Sequence, residues 1–577
     1  MPTAEIPRRR AWPVLGAILI GSLALRLWGV SSGLPYAYNT DEADHFLPRA
    51  VAMFEHHSLN PHYFANPPGF TYVLHFLLVL YYGGAGAVVH AFDHHPTDVY
   101  TLARVASALL GVAALWLLYA TGARLFSRGL GLLAAAVEAV AFLPVFYAHL
   151  ALNDVPTLAP VTLSLLGAAG VLRKGRARDY LLAGIGLGLA CASKYTAGSV
   201  LVALVAAVAA RYLEGEPGAG RRALGGVALA AAGSVLAFFV ANPYAVLDYS
   251  AFHAELVHQS TLSSESQGKL GAPKQGGLLY YLWSLTWGLG WVPALAALGG
   301  AVAVWRSQPR LGWLLVPAPL LFLAFMGLEG RYFGRWLLPI FPILCLLAAL
   351  FALLLAGAMA RRLAGAPAGT PVGAPVGRRG PGVRIALIAC ATLLLCGQGL
   401  AYSVHSDLVL SRADTRAQTR AWMVAHIPPG TRIVVEPVAP DGWATRWRKY
   451  YSLVSEISPA GALDPSEQRV VGIEEYERTL APALIGYYER GGYCFIVSGS
   501  TQSGRAFADP QAVPLAVAYY RALQKQGEVV FRASPYGRSQ RPVAFSFDWS
   551  FDYYPLAYHR PGPTMTIYRL HGARCGR

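Results

Sequence analysis

The stretch "YNTDEADHF", Tyr38 to Phe46, sets Asp41, Glu42 and Asp44 within a few residues of an apolar run long enough to cross a membrane. A carboxylate within hydrogen-bond reach of a hydroxyl takes up its proton as that oxygen attacks, which is the work of a general base. Asp41 is the residue placed for it, with Glu42 and Asp44 as support. Asp41 and Asp44 are three apart and share one face of a helix, an arrangement whose oxygens can also hold a divalent cation. The same spacing fits a plain helix start, with Asn39 as N-cap, Glu42 at the third position and acidic residues on the positive end of the dipole. On that reading Glu42 is worth about 1 kcal/mol. Farther on, Asp154 follows Asn153 and precedes Pro156, which suits either an N-cap or a further carboxylate on the same side of the membrane.

Cations are needed wherever negative charge develops. Lys194 stands in "ASKYTAG", where an apolar stretch is broken, either snorkelling there or marking function at membrane depth. Arg331 stands with Tyr332 and Arg335 in "EGRYFGRWLLPIFP", at a membrane edge where basic residues are disfavoured, so it serves an anion or anchors the interface. Lys269 and Lys274 lie in the loop 242–276. The pairs His56–His57 and His94–His95 are adjacent in sequence and point apart on a helix, which makes them poor metal ligands. The stripe Tyr280, Tyr281, Trp283, Trp287 and Trp291 reads as an interfacial belt and packing face.

The elements that must position these groups are membrane helices. Of 577 residues, 55% are hydrophobic and 14% charged, a composition built for lipid. The net charge of +16 does not indicate nucleic acid, because the basic residues fall in short clusters between apolar runs. Stretches able to span occur near 12–30, 99–121, 130–148, 155–172, 223–241, 277–304, 311–328, 335–357 and 384–403, and the broken stretch 180–211 supplies two more. About eleven spans result. Residues 11–30 follow three arginines but are too long for a signal core and show no convincing cleavage site, so they read as an uncleaved first span. Arg8 to Arg10, Arg124 with Arg128, "RKGRAR" at 173–178, Arg211 with Arg221 and Arg222, Arg306 with Arg310, and Arg361 to Arg384 all thread to one side. The segment 31–98 holds Arg49 and no lysine. The N-terminus is therefore expected in the cytoplasm, with 31–98 and the C-terminus outside.

Residues 1–403 form the membrane domain, and the Pro/Gly-rich 364–382 within it is a flexible cytoplasmic linker. Residues 404–577 form a small α/β domain outside the membrane, with strands at "TRIVVEP", "YCFIVSG", "GEVVFRA" and "TMTIYRL" and helices at "TRAQTRAWMVAHI" and "AVPLAVAYYRALQKQ". Its aromatic run "FSFDWSFDYYP" is a packing surface before it is a sugar platform. Cys191, Cys345, Cys390 and Cys396 lie in apolar segments and read as packing residues. Cys494 and Cys575 are the pair able to meet outside the membrane.

A first span, then "YNTDEADHFLPRAVAMFEH", then "NPHYFANPPGFTYVLHFL", resembles the first outer loop of GT-C glycosyltransferases of the protein mannosyltransferase and aminoarabinose transferase kind. "LNDVPTL", "ASKYTAG" and "EGRYFGRWLLPIFP" follow in matching order, and the likeness runs over about residues 12–403. The resemblance implies a helical polytopic GT-C fold, and a sugar moved from a polyprenyl phosphate carrier, with inversion, to a lipid, glycan or protein hydroxyl at the outer face of the plasma membrane. It makes Asp41 the base and Asp154 a carboxylate that either supports the base from behind or helps orient the acceptor, and Arg331, Lys194, Lys269 and Lys274 are the candidate cations for the departing phosphate. Asn66, Pro67 and Tyr332 line the donor and acceptor loops. No cofactor is required on this reading. One departure stands out, since Asn66 occupies a position where the aminoarabinose transferase pattern has a lysine. A lipid-linked-sugar flippase would also need a polar cavity and phosphate contacts, but has no use for a base and usually shows repeats, of which this sequence has none. A non-enzymatic assembly subunit would leave the outer carboxylates without a role.

Overall fold

The computed structural model describes residues 5–213, 219–264, 270–271, 276–363, 380–428, 431–437, 451–452, 476–546, 548 and 554–572. Lys269, Lys274, Cys575 and most of the expected 364–382 linker lie outside the described residues. Two compact units emerge, the first comprising Met1–Val30, Thr40–Ser264 and Gln275–Val404, the second Ser31–Asn39, Glu265–Lys274 and His405–Arg577.

The first unit is helical, and each of the eleven segments expected to span is helical over most of its length. Among the described residues, eight helical stretches are long and apolar enough to cross a membrane, from Arg8–Leu27 to Gly382–His426. The three that fall short are Arg128–Val140, Leu158–Arg173 and Ala177–Ser193, with 13, 16 and 17 residues. The first is capped by Ser127, whose hydroxyl accepts from the Leu130 N–H at 3.3 Å. It stops where Ala141 turns to ψ 135°, and a second short helix, Phe142–Tyr147, continues the path. Twelve of the sixteen residues of Leu158–Arg173 are buried, so its length is set by protein neighbours and not by the bilayer.

The expected outer segment 31–98 holds more structure than a loop. Gly69–Tyr82 is an apolar helix that bends by 96° into Ala85–His94, with Gly83 at φ 83° making the corner. Fourteen residues rise only about 21 Å, short of a hydrocarbon core of about 30 Å. That is why no span was expected here, and why the pair is a broken span or a re-entrant hairpin.

The second unit carries a five-stranded mixed sheet of order β2-β1-β3-β5-β4, where β1 is Arg432–Val435, β2 Tyr451–Ser452, β3 Tyr493–Gly499, β4 Glu528–Ala533 and β5 Met565–Arg569. β1 pairs parallel with β2 and β3, and β5 pairs antiparallel with β3 and β4. The two-residue β2 is too short to leave a period-2 signal. Alternation along the strands fills both faces. Val434, Ile496 and Tyr568 enter one core with Tyr488, Tyr519 and Leu523 of the helices Ala483–Arg490 and Pro514–Gln526. Ile433, Phe495, Val497 and Ile567 enter the other with Met423 of the helix Thr415–His426. Cys494 is disulfide-bonded, while Cys191, Cys345, Cys390 and Cys396 are free.

Just after β1, Glu436 is 1% exposed. Burial raises its carboxyl to about 7, against the pull of hydrogen bonds from the Gly499 N–H, Ser498 and Tyr520. The folded unit thus holds a proton that the unfolded chain has released, between the ordinary value of 4.5 and about 7. The associated stability is fully present below 4.5 and is lost as pH rises through 7, a change of about 3 kcal/mol at most. Limited proteolysis of the purified full chain is expected to cut the second unit faster at pH 8 than at pH 5. Glu436→Gln is expected to flatten that difference. An equal pH dependence in the variant would exclude Glu436 as its source.

Candidate active site

Four breaks in helical structure deliver the charged residues of the first unit. The short helix Thr40–Asp44 brings Asp41 and Glu42. The turn before Leu158–Arg173 brings Asp154. Lys194 sits in extended conformation, φ −156° and ψ 121°, between Ala177–Ser193 and the 3-10 turn Tyr195–Val200. Arg335 comes from the 3-10 turn Gly334–Ile340 ahead of the helix Phe341–Leu363. Asn153 ties two of these breaks together, its amide donating to the Ser193 carbonyl at 2.6 Å.

The side chains form a chain of alternating charge. The Arg335 Nη2 donates to Asp41 Oδ2 at 2.7 Å, and its Nε lies 3.7 Å from Asp154 Oδ2. The other oxygen of Asp154 meets the Lys194 ammonium directly. Asp154 and Lys194 are inside, with side chains 4% and 10% exposed, whereas Asp41 is 36% exposed. Asp41 is thus the member of this chain open to an incoming molecule. The Arg335 guanidinium is further held over Phe333, 4.5 Å from the ring centre, and near Tyr147 at 5.8 Å.

Glu42 points elsewhere. Its carboxylate takes both arms of Arg104 at 2.7 Å and the Ala151 N–H at 2.8 Å, and Arg104 also donates to the Val30 carbonyl at 2.7 Å. Both side chains are buried. Glu42 therefore locks the Thr40–Asp44 helix to the helix Pro96–Leu125 and does not face the opening. Asp44 is exposed. The cation beside Asp41 is the guanidinium of Arg335, and among the described residues no three His, Cys, Asp or Glu side chains converge to hold a metal.

The loop after the next helix closes on Asp41 from the other side. His45 Nε2 lies 4.0 Å from Asp41 Oδ1, and its ring stacks on Tyr63 with centroids 4.5 Å apart. Asn66 donates to the Tyr63 hydroxyl at 2.7 Å. Burial raises the Tyr63 phenol above its usual range. The Phe64 and Ala65 N–H groups both donate to the Glu255 carboxylate, and the Tyr195 hydroxyl donates to the Phe64 carbonyl at 2.9 Å. Pro67 is buried, and Gly69 packs so closely that a Cβ there would lie 2.5 Å from the Ala192 carbonyl oxygen. The segment 63–69 is thereby fixed against the Lys194 break.

Arg331 pairs with no carboxylate among the described residues, and its Nε is buried without a hydrogen-bond partner. The neighbouring Tyr332 ring lies 4.7 Å from that of Tyr280. Directly after Lys194, an apolar groove of about 370 Å³ runs between Tyr195, Thr196, Ser199 and Val202 on one side and Leu321, Phe322 and Phe325 on the other.

Asp41, Asp154 and Lys194 come together as one cluster, and Arg335 joins them. Sequence reasoning set Arg335 beside Arg331 but gave it no task, although the disfavoured outer-edge position applies to both. Arg104 left a signal too, an arginine in the second turn of the span expected at 99–121. Glu255 left none, because it is defined by contacts about 190 residues away in sequence, whereas His45 stands four residues after Asp41, a spacing that could have marked it.

The fold is that of the GT-C membrane glycosyltransferases, and the chain is a multi-pass membrane protein. A family model described as dolichyl-phosphate-mannose-protein mannosyltransferase matches residues 97–246, the stretch that holds Arg104, Asp154 and Lys194. Among solved structures, ArnT from Cupriavidus metallidurans in the apo state superposes with a TM-score of 0.52 at 14% identity, covering 97% of this chain and 99% of that one. The archaeal oligosaccharyltransferase AglB from Archaeoglobus fulgidus, in complex with an inhibitory peptide and a dolichol-phosphate, gives 0.51 at 15% identity, covering 91% and 73%. The Archaeoglobus fulgidus oligosaccharyltransferase tethered to an acceptor peptide gives 0.53 at 13%, covering 92% and 73%. A search of curated proteins gave no significant match.

Proposed function

We propose that the chain is an inverting glycosyltransferase that moves a sugar from a polyprenyl phosphate carrier to an acceptor hydroxyl at the outer face of the membrane. The observation that carries this reading is the exposed Asp41 carboxylate, held at a fixed angle by an arginine that Asp154 holds in turn. In the reaction the acceptor oxygen attacks the anomeric carbon from the face opposite the phosphate. The carbon–oxygen bond to phosphate breaks, the acceptor proton passes to Asp41, and the carrier leaves as polyprenyl phosphate. Asp154 and Lys194 act through Arg335, since their charged atoms are spent on one another. Among the described residues, Arg331 is the cation placed to meet the phosphate. The apolar groove beginning at Tyr195 suits the first isoprene units of the carrier.

Support for a lipid-linked donor comes from the GT-C fold and the mannosyltransferase family model. The identities of sugar and acceptor follow from neither. Mass analysis of envelope glycans is the test. A strain lacking the gene is expected to lose one sugar from one glycan or lipid, and the wild-type gene is expected to restore it. Restoration by Asp41→Asn, or an unchanged glycan profile in a strain lacking the gene, would overturn the reading.

The orientation proposed is N-terminus inside, with residues 31–98 and the second unit outside. The disulfide at Cys494 supports it, because disulfides persist in oxidising compartments. An impermeant thiol reagent applied to intact cells is expected to label a cysteine introduced at Ser58 and to spare one at Gly373. Labelling at Gly373 would reverse the orientation.

A further inference from the structure

The reaction at Asp41 leaves His45 without a task. His45 is the single residue between the helix Thr40–Asp44 and the helix Phe46–Glu55, at φ −110° and ψ −91°, and its backbone N–H donates to the Asp41 carbonyl at 3.1 Å. The spacing of four sets the two side chains on one face, where His45 Nε2 lies 4.0 Å from Asp41 Oδ1. Both are partly open to the outside, with side chains 28% and 36% exposed. The imidazole is held in place. One face lies on Tyr63, with centroids 4.5 Å apart and planes inclined by 11°. Tyr63 is fixed in turn by the Asn66 amide, which donates to its hydroxyl at 2.7 Å, and by the Arg49 guanidinium, 5.6 Å from its ring centre.

The two ring nitrogens differ in their surroundings. Nδ1 is buried with no hydrogen-bond partner. An orphaned N–H in such a place costs more than an orphaned lone pair, so in the neutral ring the proton belongs on Nε2. Nε2 is then a donor directed at Asp41 Oδ1, while Arg335 holds Oδ2. At 4.0 Å these two atoms are too far apart for a hydrogen bond. One oxygen fits between them, about 2.8 Å from the carboxylate and about 2.9 Å from the nitrogen. A hydroxyl there donates to Asp41, accepts from His45 with one lone pair, and keeps the other lone pair for attack. The fit does not require Oδ1 to be otherwise vacant, because a carboxylate oxygen accepts two hydrogen bonds.

We propose that the gap between Asp41 Oδ1 and His45 Nε2 seats the attacking oxygen of the acceptor, and that His45 selects an alcohol over an amide. This rests on Asp41 as the base and names the atom on which the base works. As the bond from that oxygen to the anomeric carbon forms and the bond from carbon to phosphate oxygen breaks, the hydroxyl proton passes to Asp41. Nε2 keeps its own proton and fixes the direction of the oxygen. An amide nitrogen has its electrons delocalised into the carbonyl and accepts no hydrogen bond, so it would leave the Nε2–H unpaired. Sites built around such a hydrogen bond reject the analogue that cannot make it.

Variants carried at matched protein levels in a strain lacking the gene test this, with envelope glycans and lipids read by mass analysis. His45→Gln keeps an N–H donor near the place of Nε2 and is expected to restore about half or more of the wild-type product. His45→Phe keeps a ring on Tyr63 but has no donor, and is expected to restore about a tenth or less. His45→Leu serves if His45→Phe does not insert. Native mass spectrometry of the purified chains with undecaprenyl phosphate reads the carrier separately, and every variant is expected to retain it within about twofold of the wild type. Full restoration by His45→Phe, or restoration by His45→Gln no better than by His45→Phe, would overturn the assignment. So would loss of undecaprenyl phosphate from the His45→Phe chain, which would give His45 to the donor, or a product whose sugar is carried on an amide nitrogen. A profile unchanged by absence of the gene strikes the proposed function itself, and is told apart because wild type and variants then give the same glycans.

Discussion

Asp41→Asn is expected to lower sugar transfer by about 10²-fold or more, the scale of a lost general base, while leaving donor affinity nearly unchanged. The substitution keeps the size of the side chain and its oxygen toward Arg335, so geometry is conserved and the proton-accepting charge alone is removed. Arg331→Ala is expected to show the complementary pattern, a raised KM for the lipid-linked sugar together with a lower kcat, because the same cation meets the phosphate in the ground state and as it departs. The pair is read in one assay, release of polyprenyl phosphate from a polyprenyl-phosphate sugar by the purified chain. Near-normal transfer by Asp41→Asn alongside a dead Asp44→Asn would move the base to the exposed neighbour. A normal KM in Arg331→Ala would leave the phosphate to another cation.

What the sequence displayed was the part governed by local pattern. Eleven apolar segments, two of them flanking the break at Lys194, are legible because membrane helices are long and their composition is uniform. The strands at 432–435, 493–499, 528–533 and 565–569 were legible because they are short runs rich in β-branched and aromatic residues. The helix at 69–82 was passed over because it is apolar but too short to span, and such a segment has the same composition whether it packs, bends or enters lipid. At the site, residue type and depth singled out Asp41, Asp154, Lys194 and Arg331. They could not reveal who pairs with whom. That Lys194 is spent on Asp154 while Arg331 lacks a carboxylate partner among the described residues depends on contacts spanning 40 residues in one case and on a vacancy in the other, and neither leaves a local trace. Asp154 has one oxygen on the Lys194 ammonium and the other 3.7 Å from Arg335 Nε, and of the two tasks its type and place allowed, support of the base or of the acceptor, the sequence could not choose for the same reason.

Glu42 is where the two readings differ most in energy. A helix cap at that position is worth about 1 kcal/mol, and Glu42→Gln would then be mild. The structure instead puts the carboxylate in a buried two-armed pair with Arg104, whose side chain is 3% exposed against 0% for Glu42. Removing one partner of such a pair leaves the other charge without compensation and costs about 3–5 kcal/mol. Glu42→Gln is therefore expected to destabilise the first unit by that amount, read as a shift in the denaturation midpoint of the purified chain. Asp41→Asn should shift it little, because its ion pair is partly solvated. The double variant Glu42→Gln with Arg104→Met is expected to recover much of the loss, because a buried pair replaced on both sides costs far less than one broken on one side. A loss near 1 kcal/mol in the single variant, with no recovery in the double, would return Glu42 to the role of a cap. A large loss with recovery makes the Glu42–Arg104 pair the fixture that holds the Thr40–Asp44 helix, and with it the base at Asp41, against the helix Pro96–Leu125.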